Sequence, residues 1–513
     1  MWSLISVRAG MTPDALLAVD EHGSTLTFGE LRERSERVAA GLHALGVRAG
    51  SRVAWQLPTW VESMILVGAL ARLDAAQVPM LPLYREREVA FILRETLPEL
   101  FVVPSRWRGF AYAELAERLT DPSAGDGIDC AVLTCDRRLP DGDPASLPAE
   151  PGPPARDLVR WIFYTSGTTA DPKGALHSDA TLAAGSAGVA RAFRFSAADR
   201  FPILFPFTHI GGIGMLFIQL MSGAGSIVLE QFDAERDMAL LAAHGMTLAA
   251  GGTPLALLYL AAQRRVPQTP LFPHLRGVIT GAAPKSVTLH NELRTELGGS
   301  GALSCYGLTE VPFLSVNDVA DTDVQRATTE GRPIAGAEVR AVADDGTVCG
   351  SGEVGELRAR GPQVCFGYLD SSLDADAFDG EGYFRTGDLG AVDRDGFISV
   401  LGRIKDVIIR KGEKISALEV ESVLAAHPSI ADAAVIGLPD PQTGERCCAV
   451  VVATDPDVRL GLGDVTRICR GAGLAPQKSP ERVEQVGELP RNASGKILKY
   501  QLRARYAEAP RSE

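Results

Sequence analysis

The sequence lacks several features that would place it in other classes of protein. It has no excess of positive charge, since 51 Lys and Arg residues stand against 64 Asp and Glu residues and the net charge is −13. Nucleic-acid binding requires concentrated positive charge, so we expect no nucleic-acid partner. The N-terminus has no basic region followed by a long apolar stretch. We therefore expect no secretory signal and a cytoplasmic location.

Metal-binding cysteine pairs and uninterrupted hydrophobic runs are missing as well. The eight cysteines are scattered without C-x-x-C spacing or a histidine cluster, which argues against a disulfide framework or a zinc site. Two uncharged stretches, Ile210–Leu229 and Gly245–Gln263, are interrupted by glycines. They predict strands and helices of a protein core rather than membrane spans.

The composition indicates a large globular chain with enough apolar residues for an extensive buried core. Hydrophobic residues make up 46% and charged residues 22% of the 513 residues, and the length corresponds to roughly three domain-sized units. Short apolar runs alternate with amphipathic stretches, which predicts strands joined by helices, that is, parallel pairing and a layered α/β fold. The predicted elements are a helix capped by Thr27 and Glu30, strands over 52–56 and 100–103, helices over 60–73, 87–97 and 417–426, and strands near 433–436 and 448–452.

The pattern of predicted strands and helices changes at two points along the chain, and these changes indicate the domain organisation. From about Gly331, short strands and glycine turns predict a β-rich subdomain, and after Arg403 the helix–strand pattern returns on a smaller scale. We therefore expect a large N-terminal domain over residues 1–402, made of layered α/β subdomains and the β-rich one. A small, mobile C-terminal α+β domain would cover residues 403–513.

The strongest local signal is the segment Trp161–Gly174. An apolar strand enters a loop of small hydroxyl residues and glycine that ends at Lys173. Backbone N–H groups, hydroxyls and one cation can together hold a polyphosphate. The spacing is not that of a Walker A motif, because Pro172 precedes the lysine. A plain polar Ser/Thr/Gly turn remains the alternative.

Five segments in order resemble the adenylate-forming superfamily, which includes acyl-CoA synthetases, luciferases and the adenylation domains of peptide synthetases. The resemblance extends from about Leu26 to Leu502, nearly the whole chain. Within it, residues 82–91 are similar to ligases of alicyclic (cyclohexanecarboxylate-type) or medium-chain acids. The matching segments are Trp161–Gly174, Tyr306–Glu310, Tyr383–Gly390, Gly402–Asp406 together with Lys411–Glu413, and Leu489–Lys496.

The resemblance implies an ATP- and Mg²⁺-dependent ligase that joins a carboxylic acid to AMP, releases pyrophosphate and passes the acyl group to coenzyme A. Thr309 and Glu310 would contact the α-phosphate and Mg²⁺, a hard cation that favours oxygen ligands, with Thr168 also near the metal. Asp388 and Arg403 would bind the ribose. The other implied nucleotide-binding residues are Thr165, Ser166, Gly167, Thr169, Lys173, Ala282, Ala283, Tyr306 and Gly307.

Lys496 resembles the lysine that reaches from the small domain towards the reacting carboxylate, where its charge would stabilise the transition state. Taken alone, it would be an exposed lysine near the C-terminus. Lys405 lies in the implied hinge between the two domains. The turn Lys411–Gly412 would approach the thiol and CoA after a domain rotation, with a charged surface strand as the alternative.

An acyl pocket is implied around His209, Gly211, Thr253 and Gly281, although His209 could equally be a core or turn residue. Ala170 and the sequence Lys411–Lys414 depart from the usual pattern of the family. Two alternative acceptors stay open, an amine and a separate acyl carrier protein. A nucleotide sensor without turnover is disfavoured, because Lys496, Asp388 and Glu310 are all present. We expect a monomer or a homodimer.

Overall fold

The computed structural model describes residues 1–124, 127–152, 155–165, 172–281, 285–410, 413–440, 442–491 and 496–507. Over those ranges, every helix is too short or too polar to cross a membrane. The α-helices are α1 (Trp2–Met11), α2 (Phe28–Ala44), α3 (Val61–Arg72), α4 (Glu86–Thr96), α5 (Tyr112–Thr120), α6 (Asp179–Ala192), α7 (Ile210–Ser222), α8 (Ala234–Ala243), α9 (Thr253–Arg265), α10 (Val287–Glu292), α11 (Asp323–Thr328), α12 (Asp374–Ala377), α13 (Ala417–Ala425), α14 (Leu462–Gly471) and α15 (Lys499–Ala507).

Local sequence explains where these helices begin. The predicted capping box at the start of α2 is present, since the Thr27 hydroxyl accepts from the Glu30 N–H and the Glu30 carboxylate accepts from the Thr27 N–H. The predicted helices over 60–73, 87–97 and 417–426 correspond to α3, α4 and α13, each within one residue at either end. The apolar stretches at 210 and 245 form α7 and α9 with short strands, as expected.

Strands of the first 333 residues form three main sheets and a small hairpin. In chain order they are β1 (Leu16–Asp20), β2 (Thr25–Thr27), β3 (Arg52–Trp55), β4 (Ala76–Pro79), β5 (Leu100–Val103), β6 (Arg106–Trp107), β7 (Phe110–Ala111), β8 (Ala131–Thr134), β9 (Trp161–Thr165), β10 (Lys173–His177), β11 (Arg200–Ile203), β12 (Gly225–Val228), β13 (Leu248–Ala249), β14 (Gly277–Thr280), β15 (Ala302–Tyr306), β16 (Ser315–Val316) and β17 (Arg332–Pro333).

The three sheets have the strand orders β11-β12-β1-β2, β10-β9-β4-β3-β5-β8 and β13-β14-β15-β16-β17. The neighbours β3, β4 and β5 pair in parallel, as do β14 and β15, which agrees with the prediction from helices that alternate with strands. The largest core lies between helices and sheets around Trp55 and Trp161, which are wholly buried. The ends of β9, β14 and β15 in these sheets lie at the candidate active site.

The predicted β-rich subdomain follows as one antiparallel sheet with the order β18-β19-β20-β21. Its strands are β18 (Glu338–Val342), β19 (Gly355–Arg360), β20 (Phe384–Val392) and β21 (Ile398–Arg403). Inward and outward residues alternate along β20, as a half-buried strand requires.

A separate sheet begins after a short 3₁₀ turn at Ile404–Asp406. The alternation of β24 places Val435 in a core with α13 and α14, and Ile436 in a second core with α15. The strands are β22 (Val407–Arg410), β23 (Glu413–Ser416), β24 (Ile430–Asp440), β25 (Gly444–Ala453) and β26 (Arg482–Gln485), in the order β23-β22-β25-β24 with β26 parallel to β25. β24 and β25 are longer than predicted because their polar ends continue the antiparallel pairing beyond the apolar centre.

Candidate active site

A buried carboxylate, Asp388, is held by residues from two sheets. Asp388 lies on β20 directly opposite Arg403 on β21, and the Arg403 Nε–Asp388 Oδ1 distance is 2.7 Å. The Tyr306 hydroxyl, at the end of β15, donates to Asp388 Oδ2 at 2.6 Å. Each carboxylate oxygen therefore has one partner and still has lone-pair capacity for a further hydroxyl donor. Asp388 and Arg403, which were predicted for the ribose, are thus in direct contact, and Tyr306, which was predicted for the nucleotide base, contacts the same carboxylate.

The charge of Lys496, which lies between β26 and α15, also acts on Asp388. Burial raises the pKa of Asp388, whereas the nearby charges of Arg403 and Lys496 oppose that increase. Although much of Lys496 is exposed, desolvation of its ammonium group, followed by repulsion from Arg403, lowers its pKa to about 8. Attraction to Asp388 opposes this decrease. Lys496 is therefore close enough to Asp388 for the two charges to interact.

A second group lies around Glu310 and Lys173. The Tyr368 hydroxyl donates to Glu310 Oε1 at 2.7 Å, and Lys173 Nζ lies 5.2 Å from the centre of the Tyr368 ring. Lys173 begins β10 and pairs with Thr165 at the end of β9, so both ends of the predicted phosphate loop are fixed in one sheet. A cation, a carboxylate and the loop ends thus converge.

His177, the last residue of β10, connects this group to Thr309. His177 is wholly buried, and burial lowers its pKa to about 4, so the ring is neutral at pH 7. Its Nε2 lies 2.9 Å from the Thr309 carbonyl oxygen, which can only accept, so Nε2 carries the proton. Its Nδ1 lies 3.0 Å from the Thr181 hydroxyl. This fixes the main chain of Thr309 beside Glu310.

The residues predicted for the acyl pocket lie at the starts of α7 and α9 and directly after β14. His209 precedes α7 and its Nδ1 accepts from the Gly211 N–H at 3.1 Å, so it caps the helix. Desolvation lowers the pKa of His209 to about 4. Thr253 begins α9, and its N–H points to the Gly281 carbonyl oxygen at 3.4 Å. The structure therefore brings Thr253 and Gly281 together, and gives His209 a capping role that the sequence did not indicate.

The 3₁₀ turn after β21 is surrounded by charges. Arg503 Nη2 donates to Asp406 Oδ1 at 2.7 Å and to the Lys405 carbonyl oxygen at 3.4 Å. Desolvation and the charge of Arg403 lower the pKa of Lys405. Arg410, at the end of β22, forms a two-pronged pair with Glu481 at 2.7 and 2.8 Å.

Several predicted residues cannot be placed in this geometry. Those outside the described residues are Ser166, Gly167, Thr168, Thr169, Ala282, Ala283, Lys411 and Gly412. Conversely, the sequence analysis did not single out Tyr368, whose role depends on a contact across 58 residues. The nearest local signal is the Gly367–Tyr368 pair, which precedes the matching segment Tyr383–Gly390.

The donor set suits Mg²⁺ bound together with a polyphosphate. Mg²⁺ is held in such sites by one or two carboxylates plus phosphate oxygens and waters, rather than by a cage of protein ligands. Glu310 offers the carboxylate, with one oxygen on Tyr368 and the other available. Over the described ranges, no cluster of three or more His, Cys, Asp or Glu side chains could hold a metal without such a partner.

Comparison with known families and proteins gives a consistent result. The AMP-binding enzyme family matches residues 5–369, and the AMP-binding enzyme C-terminal domain matches residues 419–496. The chain is 32% identical over 502 residues to the medium-chain fatty-acid–CoA ligase of Escherichia coli K12. That alignment covers 96% of this chain and 88% of the ligase. It is also 32% identical over 521 residues to the salicyl-AMP ligase / salicyl-S-ArCP synthetase of Mycobacterium tuberculosis, with 97% and 89% covered.

A solved structure extends the similarity to a bound intermediate. The o-succinylbenzoate CoA synthetase of Bacillus subtilis, in complex with its acyl-adenylate, superposes with a TM-score of 0.85 at 26% identity. The match covers 99% of both chains. The layered sheets, the β-rich subdomain and the small C-terminal sheet are therefore the arrangement of that protein as a whole.

Proposed function

This chain belongs to the AMP-binding enzyme family, and we propose that it is an AMP-forming acid–thiol ligase. It activates a carboxylic acid with ATP to give an acyl-adenylate and pyrophosphate, and then transfers the acyl group to coenzyme A. The observation that carries this proposal is the buried Asp388, held by Tyr306 and Arg403 and under the electrostatic influence of Lys496. This arrangement supports the proposed roles of Asp388 as ribose acceptor and of Lys496 as the cation of the reacting centre.

In the first half-reaction, this chain's residues hold the nucleotide at both ends. Asp388 accepts the ribose hydroxyls with its remaining lone pairs, while Tyr306 and Arg403 keep it oriented. The loop over residues 165–173, ending at Lys173, holds the β- and γ-phosphates. Glu310 and Thr309 face the α-phosphate side, and Mg²⁺, when bound there by Glu310, neutralises phosphate charge.

Lys496 brings the carboxylate and the α-phosphate into reaction. Both groups are anionic, so a carboxylate oxygen must approach phosphorus against charge repulsion. The Lys496 ammonium group, placed between them, stabilises the negative charge that builds up in the transition state. The carboxylate–phosphorus bond forms as the bond to pyrophosphate breaks. The acid itself is held near His209 and Gly211 at the start of α7, Thr253 at the start of α9, and Gly281 after β14.

In the second half-reaction, the domain over residues 403–513 turns about Lys405 relative to residues 1–402. The turn Lys411–Gly412 then approaches the CoA thiol, which attacks the acyl carbon and releases AMP. The ion pairs of Arg503 with Asp406 and of Arg410 with Glu481 are present in the domain orientation of this structure, that is, before the proposed rotation. We further propose that the enzyme works in the cytoplasm, where ATP and CoA are available.

A second acceptor is favoured by one observation. A relative at 32% identity is named both a salicyl-AMP ligase and a salicyl-S-ArCP synthetase, so its acyl-adenylate passes to a carrier protein. Transfer to a carrier or to an amine would use the same first half-reaction. The choice of acceptor therefore has to be tested separately from adenylation.

The purified chain, ATP and Mg²⁺ are incubated with a panel of aliphatic, alicyclic and aromatic acids, and then with CoA, an amine mixture or a phosphopantetheinylated carrier. Mass spectrometry identifies the acylated product. We expect acyl-CoA together with AMP. An acyl-carrier or amide product without acyl-CoA would assign the alternative acceptor, and AMP formation independent of any acid would refute the ligase itself.

A further inference from the structure

We propose that Tyr368 is a positioning residue that keeps the Glu310 carboxylate ready for Mg²⁺–ATP and apart from Lys173. The inference rests on the proposed function, in which Glu310 binds the metal. Tyr368 forms no part of the sequence motifs that indicated the nucleotide site. Its contacts nevertheless reach both charged groups of the phosphate side.

Glu310 is held by the segment around Tyr368 through both its main chain and its side chain. The Cys365 N–H donates to the Glu310 carbonyl oxygen at 2.8 Å, and the Tyr368 hydroxyl donates to Glu310 Oε1 at 2.7 Å. A hydrogen bond to one carboxylate oxygen fixes the rotation of the group and directs the second oxygen elsewhere. Glu310 is thus oriented before any ligand arrives.

The Tyr368 ring has little freedom to move. It is 5% exposed, and its residue pairs with Ala175 of β10 in an antiparallel bridge. Its N–H donates to Asp374 Oδ1 at 2.8 Å. Its neighbour Gly367 has φ +122°, and a Cβ there would lie 2.5 Å from Asp374 Oδ2, so only glycine permits this path. The main chain therefore sets where the hydroxyl points.

The ring also separates two opposite charges. Lys173 Nζ lies 5.2 Å from the ring centre, in the range of a cation–π contact, while the hydroxyl at the ring edge binds Glu310. A direct Lys173–Glu310 ion pair would occupy both groups that the nucleotide requires. With Tyr368 in place, the cation stays available to phosphate and the carboxylate to the metal.

Replacing Tyr368 with phenylalanine tests this role, because Tyr368→Phe keeps the ring and its packing but removes the hydroxyl. We expect the Mg²⁺ concentration for half-maximal acid-dependent ATP–pyrophosphate exchange to rise about tenfold, the effect of losing one hydrogen bond to a charged group. Calorimetric ATP binding should weaken in Mg²⁺ but stay unchanged in EDTA.

The matched control is Tyr383→Phe, since the Tyr383 hydroxyl also donates to a glutamate, Glu338, at 2.6 Å. It should leave the Mg²⁺ dependence unchanged. Glu310→Gln should weaken Mg²⁺-dependent ATP binding more strongly than Tyr368→Phe. In the Glu310→Gln background, adding Tyr368→Phe should have no further effect, because the tyrosine acts through that carboxylate.

An unchanged Mg²⁺ dependence in Tyr368→Phe, with Glu310→Gln impaired, would overturn the positioning role and leave the proposed function intact. Equal weakening of ATP binding in Mg²⁺ and in EDTA, or additive effects in the double variant, would overturn it as well. If Tyr368→Phe does not fold, the test moves to Glu310→Asp, whose shorter side chain withdraws from the hydroxyl. It should reproduce the Mg²⁺ effect while ATP binding in EDTA is retained, and normal Mg²⁺ dependence in this variant would refute the role. Absence of acid-dependent exchange in the unmodified protein would instead refute the proposed function.

Discussion

The large N-terminal body and the C-terminal region contribute to the site in different ways. The body side consists of residues fixed by short hydrogen bonds, such as Asp388 with Tyr306 at 2.6 Å and Glu310 with Tyr368 at 2.7 Å. The C-terminal side contributes cations, Lys496 and Lys405, and desolvation lowers the pKa of each. In the proposed mechanism the body would provide the binding contacts, whereas the C-terminal region would supply charge for chemistry and a turn for movement.

This difference predicts separable effects of substitution. Changes on the body side should mainly alter ATP affinity, because they remove contacts present in the bound ground state. Changes on the C-terminal side should mainly alter rate, because they remove charge that is needed only as the transition state forms. The predictions below follow from the largest expected effect to the smallest.

Lys496→Ala should lower the rate of acid-dependent ATP–pyrophosphate exchange by about 10³-fold, the scale for removing one transition-state charge partner. ATP binding, measured by calorimetry, should change little. Lys478→Ala is the control, because Lys478 pairs with Glu419 in the same domain. Near-normal exchange in Lys496→Ala would remove this lysine from the mechanism and erase the contrast between the two sides.

Asp388→Asn should raise the Kd for ATP about 100-fold, since it removes the charge that accepts the ribose hydroxyls and leaves Arg403 without its ionic partner. The rate at saturating ATP should fall much less. Asp395→Asn serves as a control, because that aspartate is exposed at the end of the same sheet. A normal Kd with a large loss of rate would mean that Asp388 acts in chemistry and not in binding.

Lys405→Pro should preserve adenylate formation and slow acyl-CoA formation about tenfold or more, because a fixed φ at the turn hinders the domain rotation. Lys405→Ala removes the same side chain without restricting the backbone and should leave both steps closer to normal. Rapid-quench measurement of acyl-AMP and acyl-CoA separates the two steps. Equal loss of both would show that this turn is not the hinge.

The exchange reaction should also lose activity at alkaline pH. The lowered pKa of Lys496, about 8, means that its charge is present below that pH and is lost as the pH rises through it. The kcat/KM for ATP should therefore fall about tenfold per unit above pH 8. Lys496→Arg should remove this alkaline limb, because the guanidinium stays charged. A profile that is flat to pH 10 in the unmodified protein would contradict the assignment.

Sequence patterns predicted local features closely where the chain itself determines them. The Thr27–Glu30 capping box and the strand Leu100–Val103 are confirmed, because capping and apolar runs act over a few residues. The ends of β24 and β25 extend beyond the prediction, since pairing between the two strands, and of Gly444 with Arg410 on β22, lengthens them past their apolar centres. The family resemblance assigned Asp388, Arg403 and Tyr306 to one nucleotide site, and the three residues are in contact in the structure.

Long-range contacts account for what the sequence did not reveal. His177 binds the Thr309 carbonyl across 132 residues, and Tyr368 binds Glu310 across 58 residues. No period or motif encodes such a pairing, because it depends on how β10 lies beside the segment after β15. The capping role of His209 was also missed, since histidine is not among the preferred capping residues. The roles of all the site residues stay predictions, and Ser166, Thr168 and Lys411 also lie outside the described residues.

The most direct test is exchange of labelled pyrophosphate into ATP by the unmodified protein, measured with each acid of a broad library and without acid. If the body binds ATP and Lys496 drives carboxylate attack on it, at least one acid must produce exchange and acid-free samples must not. ATP binding without exchange for every acid would contradict this chemistry outright.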